Sequence, residues 1–276
     1  MANNANGSNG RILHRFNCIP YLKSCVDIPD NCAVISARTF QNKSVIRSVV
    51  FPAGLKQIDN NAFSGCTNLK KVILPESLTQ VGAEAFSGCT SLTSAYIPAD
   101  ISVISRGMFS NDRRLSDVDF SAKSRLVKIQ TDAFSECSAL EKMVFPDSVQ
   151  EIDDRCFYRC RNLSQVHFPK NLKVIGRQGF YFCGISSLKL PDSLEVLDES
   201  AFFKCSNLVS VVLPPAVRYL GKWAFHGCNR LKYLEVRHDP EFIGEWIINR
   251  SSTIRCYRSS RMDRYCQEAG FNVEYL

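Results

Sequence analysis

The sequence is poor in histidine, in blocks of like charge and in long apolar runs, and each shortage removes a class of function. Its four histidines, His14, His167, His226 and His238, are scattered, and none makes a metal-binding pattern with a nearby cysteine. Cys18, Cys25 and Cys32 stand seven residues apart, whereas structural zinc sites usually pair cysteines about two to four residues apart. No metal and no cofactor are therefore expected. The 34 basic and 27 acidic residues leave a formal charge of only +7 without a basic run, so no nucleic-acid partner is expected. No signal-like apolar core opens the chain and no stretch is long and apolar enough to span a bilayer, which predicts a soluble chain without a membrane segment. A phosphate-cradling glycine loop and a paired-carboxylate pattern are missing too, so the chain is not expected to be an enzyme.

What abounds is repetition. Phe40, Phe63, Phe86, Phe109, Phe134, Phe157, Phe180, Phe202 and Phe225 recur at intervals of 23, 23, 23, 25, 23, 23, 22 and 23 residues. A period between about 20 and 50 residues marks a solenoid, in which each unit buries its apolar face against its neighbours. Cys66, Cys89, Cys137, Cys160, Cys183, Cys205 and Cys228 each follow a repeat phenylalanine by three residues, and so form a column. Stacked backbones lie about 4.8 Å apart, which nominally allows disulfides. Side chains in an in-register stack point side by side, however, and free buried thiols are expected; Cys18, Cys25, Cys32, Cys256 and Cys266 lie outside this column.

One unit shows the physics. Leu69, Val72 and Leu74 have the spacing of a short strand, and equivalents recur from Ile46/Val49/Phe51 through Ile185/Leu188/Leu190 to Leu231/Leu234/Val236, predicting nine parallel strands. Pro52, Pro75, Pro98, Pro146, Pro169, Pro191 and Pro214 follow most of them and end the pairing, because proline cannot donate to a ladder. A second apolar pair such as Leu78 and Val81 supplies another inward side. Asp59, Gly82, Ser105, Gln130, Asp153, Gly176, Asp198 and Gly221 come next and are read as turn or cap residues before a single helical turn carrying the Ala-Phe pair.

Taken together as Leu-x-x-Val-x-Leu-Pro-x-x-Leu-x-x-Val-Gly-x-x-Ala-Phe-x-x-Cys, these residues resemble the BspA-like class of leucine-rich repeat, over about Tyr21 to Leu276. The resemblance implies an α/β fold, a right-handed leucine-rich repeat solenoid with a parallel strand face, and adhesion or protein binding as the usual role, with no catalytic residue to carry over. The class is known from surface proteins of anaerobic bacteria and parasitic protists. That points to a surface or secreted location, while the missing signal and a reduced thiol column point to the cytoplasm. The expected organisation is a flexible tail over 1–10, an N-terminal cap with a degenerate first repeat over 11–37, repeats over 38–236 and a C-terminal cap over 237–276. In that cap, Ser260 is expected to start a short helix between strands 253–257 and 271–276.

Candidate function therefore rests on the outward strand residues, Val50, Ile73, Tyr96, Asp119, Val144, His167, Lys189, Val212 and Glu235. Their mixture of apolar, aromatic and charged groups suits a protein partner, bound by a monomer. The unit around Phe109 breaks the pattern: Met108 replaces the small residue, Asp112 the cysteine and Ser121 the proline, and two extra residues precede Leu126. Asp112, Arg113, Arg114, Lys123 and Arg125 gather there, and insertions in repeat proteins map to loops on one face, often the binding face. The alternatives are an intracellular scaffold or regulatory interaction domain and, more distantly, a thiol enzyme using Cys156 and Cys160, which stand one helical turn apart.

Overall fold

The computed structural model describes residues 10–14 and 23–276; the expected tail up to Asn9, Cys18 and Tyr21 lie outside the described residues. The chain winds into a solenoid of about eleven turns, more than the nine strands counted from the sequence, because the end segments contribute coils of their own. Cys25–Asp27 pairs in register with Ser48–Val50. At the other end Thr253–Cys256 pairs with Tyr233–Glu235 and with Asn272–Tyr275. Between those last strands runs the helix Arg261–Ala269, whose N-cap Ser260 accepts from the Asp263 amide and whose C-cap Gly270 is left-handed at φ 71. Met262 and Cys266 on its inner face are buried, with Tyr265 and Ala269 packed partly beneath them.

Each regular coil meets its neighbours along three lines. The first is the strand that carries the outward row, and it is not one continuous sheet. It falls into sheets of two, three, two and four strands, interrupted after Val50, after Phe120 and around 188–190, where no strand forms. The expected strand at Ile185/Leu188/Leu190 is therefore absent. Its coil spans the 22-residue interval, with Ile185 two residues after Cys183 where Leu163 lies three after Cys160, so the segment is one residue short of the register on either side.

The second line is formed by the short strands at the second apolar pair. From Val103–Ile104 to Phe242–Ile243 these make a seven-stranded parallel sheet, and a four-stranded sheet precedes it. The seven-stranded sheet passes through both irregular coils without a break. Just beyond it the coils approach closely: a Cβ placed on Gly82 or Gly221 would collide with the backbone amide of Asn60 or of Glu199. Glycine at these two places therefore serves contact between coils, where the sequence suggested only a turn.

The third line replaces the helical turn expected at the Ala-Phe pair. Linked β-turns stand there, with left-handed residues four apart, such as Asn61 and Gly65, Asp132 and Glu136, or Arg155 and Arg159. This conformation aims alternate amides at the next coil. Gly107, Phe109 and Asn111 donate to Thr131, Ala133 and Ser135 at 3.0, 2.8 and 2.8 Å, and the same three bonds recur at coil after coil. The phenylalanines stack beneath, ring centroids 5.0 to 5.8 Å apart from Phe40 to Phe225, and every one is fully buried. Beside them each column thiol donates to the carbonyl of the preceding coil's phenylalanine, as Cys160 does to Phe134 at 3.1 Å. The twelve cysteines described are free.

Asp112 corrects the reading of the irregular coil. It is a column residue, fully buried, not part of a charged surface loop. One carboxylate oxygen accepts from the Cys89 amide at 2.7 Å and the other has no partner. Burial pushes its pKa well above the ordinary carboxyl value, since the charged form has lost water and gained only backbone donors.

Candidate strand-face binding site

The outward row is placed by alternation along each strand: Val72 and Ala95 point inward and are buried, while Ile73 and Tyr96 between their neighbours point out. Ile73, Tyr96 and Asp119 lie side by side in cross-strand register, and Val144 lies beside His167. Ile73 is 68% exposed, Val50 55%, Val212 51% and Val144 49%, an unusual series for apolar side chains on one face. The Tyr96 hydroxyl donates to Glu76 at 2.5 Å, a bond that raises the phenol's pKa and fixes the ring beside Asp119. Glu235 leaves the row. It is buried and accepts from Arg237 at 2.6 Å, with Arg255 at 3.9 Å, so it ties the last strands together.

Grooves open at the second and third of the places where the first ladder is interrupted. One, of about 680 Å³, lies between Asp117–Phe120 and Lys142–Val144, and runs past Ser121 and Ser124 to Pro146 and Asp147. The two extra residues of the irregular coil lie between these strands in the chain, and Asp119 and Val144 both line the groove. Of the charges expected at that coil, Arg125 pairs with Asp100 at 3.2 Å, and Lys123 is exposed at the adjoining corner. Arg113 and Arg114 belong to the turn after Phe109 and do not line the groove.

Two further grooves flank the 22-residue coil. One of about 500 Å³ brings His167 to Lys189, and one of about 550 Å³ brings Lys189 to Val212. Sequence reasoning placed these residues in the row but missed the grooves. The missing residue between Cys183 and Ile185 was the signal for them.

Chemistry needing a reactive thiol finds little footing. Cys156 donates to the Ile129 and Gln130 carbonyls at 3.2 and 3.1 Å, and desolvation raises its pKa well above the ordinary thiol value. Cys66 and Cys228 are pushed up to about 12 by the same burial. A nucleophile must be a thiolate, and these positions hold the thiol form. Among the described residues no three His, Cys, Asp or Glu side chains gather to hold an ion, and no helix is long and apolar enough to cross a membrane.

Stacked parallel coils, a phenylalanine spine and an exposed strand row define a repeat solenoid of the leucine-rich class. More narrowly, the chain belongs to the BspA type leucine rich repeat family, whose model matches residues 14–141 and 127–255 in six copies. A leucine-rich repeat protein from Bacteroides ovatus is 25% identical, over 85% of this chain and 63% of its own, with a TM-score of 0.69. A second, from Eubacterium ventriosum, shares the fold at 20% identity, over 60% of this chain and 44% of its own, with a TM-score of 0.57. The chain thus spans less than two thirds of either protein. No curated protein matches it. Solenoids of this family typically bind proteins and are generally non-enzymatic.

Proposed function

We propose that this chain is a non-enzymatic protein-binding module that engages its partner through the strand face, centred on Ile73, Tyr96, Asp119 and Val144 and the groove beside them. The observation that carries the reading is the series of half-exposed or more exposed apolar residues set next to grooves on the same face. Folding does not need those side chains outside, whereas recognition rewards apolar anchors that a partner can desolvate. Lys189 and His167 add polar contacts at the second groove, and Lys123 and Arg125 border the first. Adhesion is the form this role takes if the chain is displayed on a cell surface; scaffolding is its form inside a cell.

The test uses a phage-displayed random peptide library panned on the intact chain. Peptides that bind the wild type are expected to lose at least tenfold in affinity for an Ile73→Asp, Val144→Asp double variant of unchanged circular dichroism. Retained affinity across all enriched peptides removes the strand face from consideration.

A further inference from the structure

A second surface runs along the turn edge, away from the strand face. The residue after each repeat phenylalanine lies on this edge, and its identity changes halfway along the solenoid. It is Gln41, Ser64, Ser87, Ser110 and the buried Ser135 in the first half, then Tyr158, Tyr181, Phe203 and His226. Tyr158, Tyr181 and Phe203 stack, with centroids 4.9 and 5.1 Å apart, His226 lies tilted beyond Phe203 at 5.7 Å, and Trp246 closes the row edge-on to His226 at 6.3 Å. Trp223 and Trp246 are 38% and 42% exposed. Packing of the core explains none of this, since the serine coils stack their inner phenylalanines equally well.

Cations accompany the rings. Arg155 and Arg159 lie over Tyr158, at 4.7 and 5.2 Å, and each also pairs with a carboxylate of the preceding coil. Arg161 over Phe182, Lys204 over Phe203 and Arg250 over Trp246 enter no ion pair among the described residues. Glu245, at the same edge, also enters no ion pair among the described residues. The faces of the stacked rings are therefore covered by other rings or by cations, and what meets solvent is the ring edges. An aromatic edge carries the positive end of the quadrupole, so the ring edges and the three unpaired cations are set to attract carboxylates. A nucleic-acid base or a sugar needs an open ring face to stack on, and the spacing leaves no slot for one.

We propose that this edge, from Tyr158 to Trp246, is a docking surface for an acidic polypeptide segment, separate from the strand face. Four steps of a parallel stack cover about 20 Å, the reach of about six extended residues. Carboxylates of such a segment would meet Arg161, Lys204 and Arg250, and its backbone would lie along the ring edges. Aromatic and arginine side chains of this kind dominate the energetics of protein interfaces.

The same peptide library tests it. The variant Tyr158→Ser, Tyr181→Ser, Phe203→Ser gives the second half the outer residue of the first, and so keeps a pattern this solenoid already tolerates. Peptides rich in Asp and Glu are expected to be enriched on the wild type, to lose at least tenfold in affinity for the serine variant, and to bind the Ile73→Asp, Val144→Asp protein undiminished. If the serine variant fails to fold, Arg161→Glu, Lys204→Glu, Arg250→Glu, confined to exposed side chains, is expected to produce the same loss. Absence of acidic peptides, acidic peptides indifferent to both variants, or tighter binding of an oligo(dT) probe than of any peptide would overturn the proposal. Loss of binding only in the strand-face variant would overturn it while leaving the first reading intact.

Discussion

The turn side and the strand side of the same coils respond differently to irregular spacing. At the 25-residue interval the phenylalanine rings remain 5.5 Å apart and the three amides of the turn still donate to the next coil. At the 22-residue interval the rings are 5.3 Å apart. On the opposite side both coils interrupt the strand ladder, which also breaks after Val50 within regular 23-residue spacing. The stack is thus registered by its turns and its inner spine, and the strand face is free to vary because it is not needed for registration. Added or lost residues open grooves there at small cost, since lengthening a loop by a few residues costs little.

If the spine carries the stability, breaking it must be far more damaging than altering the face. Phe157→Ala removes a ring stacked on both sides and is expected to cost about 3–5 kcal/mol in urea unfolding. Repair of the buried carboxylate in the cysteine column should act in the opposite direction. Asp112→Cys supplies the column thiol and removes a buried oxygen without a partner, and a gain of about 1–3 kcal/mol is expected.

That gain has a signed dependence on pH. The folded-state pKa of Asp112 is raised above its ordinary 3.8, so the wild type has the group's full contribution below that value and loses it as pH climbs toward the folded pKa. The advantage of Asp112→Cys is therefore smallest in acid and grows with pH; paired urea titrations at pH 3.5 and 7.5 check it. A shrinking advantage would mean that the carboxylate is better satisfied than its geometry shows.

Reactivity sharpens the contrast further. Cys25 is exposed whereas the column thiols are buried, so among the described cysteines Cys25 is expected to react with a thiol reagent in the native state. The column should react only with the rate of unfolding. At the small end of the scale, Ile73→Ser and His167→Ala are expected to change stability by less than about 0.5 kcal/mol. A large loss from either would assign the strand row to the core.

Much of this division was legible in the sequence. The phenylalanine interval located the spine, the cysteines three residues later located the column, and the spacing of Leu69, Val72 and Leu74 located both buried and outward residues. The turns were not legible, because Arg155, Gln178 and Trp223 adopt positive φ where local preference favours glycine or asparagine. Amide bonds to the following coil hold them there, and their partners are 21 or 22 residues away. The place of Asp112 three residues after Phe109 set it in the column, but not that one of its oxygens would be buried without a partner. The aromatic edge was written in the residue after each phenylalanine, yet it gains meaning only once those rings are seen to stack.

Two amides of the irregular coil test the central claim most directly. Phe109 donates across the turn side to Ala133 at 2.8 Å. Phe120 stands where Leu74 and Phe145 donate to Tyr96 and His167 of the following coils, but the strand ladder is interrupted beyond it. Native-state hydrogen exchange is expected to show Phe109 protected as strongly as Phe86 and Phe134, and Phe120 exchanging far faster than Leu74 and Phe145. Fast exchange at Phe109, or equal protection at Phe109 and Phe120, would contradict the view that the turns hold the register while the strand face is free.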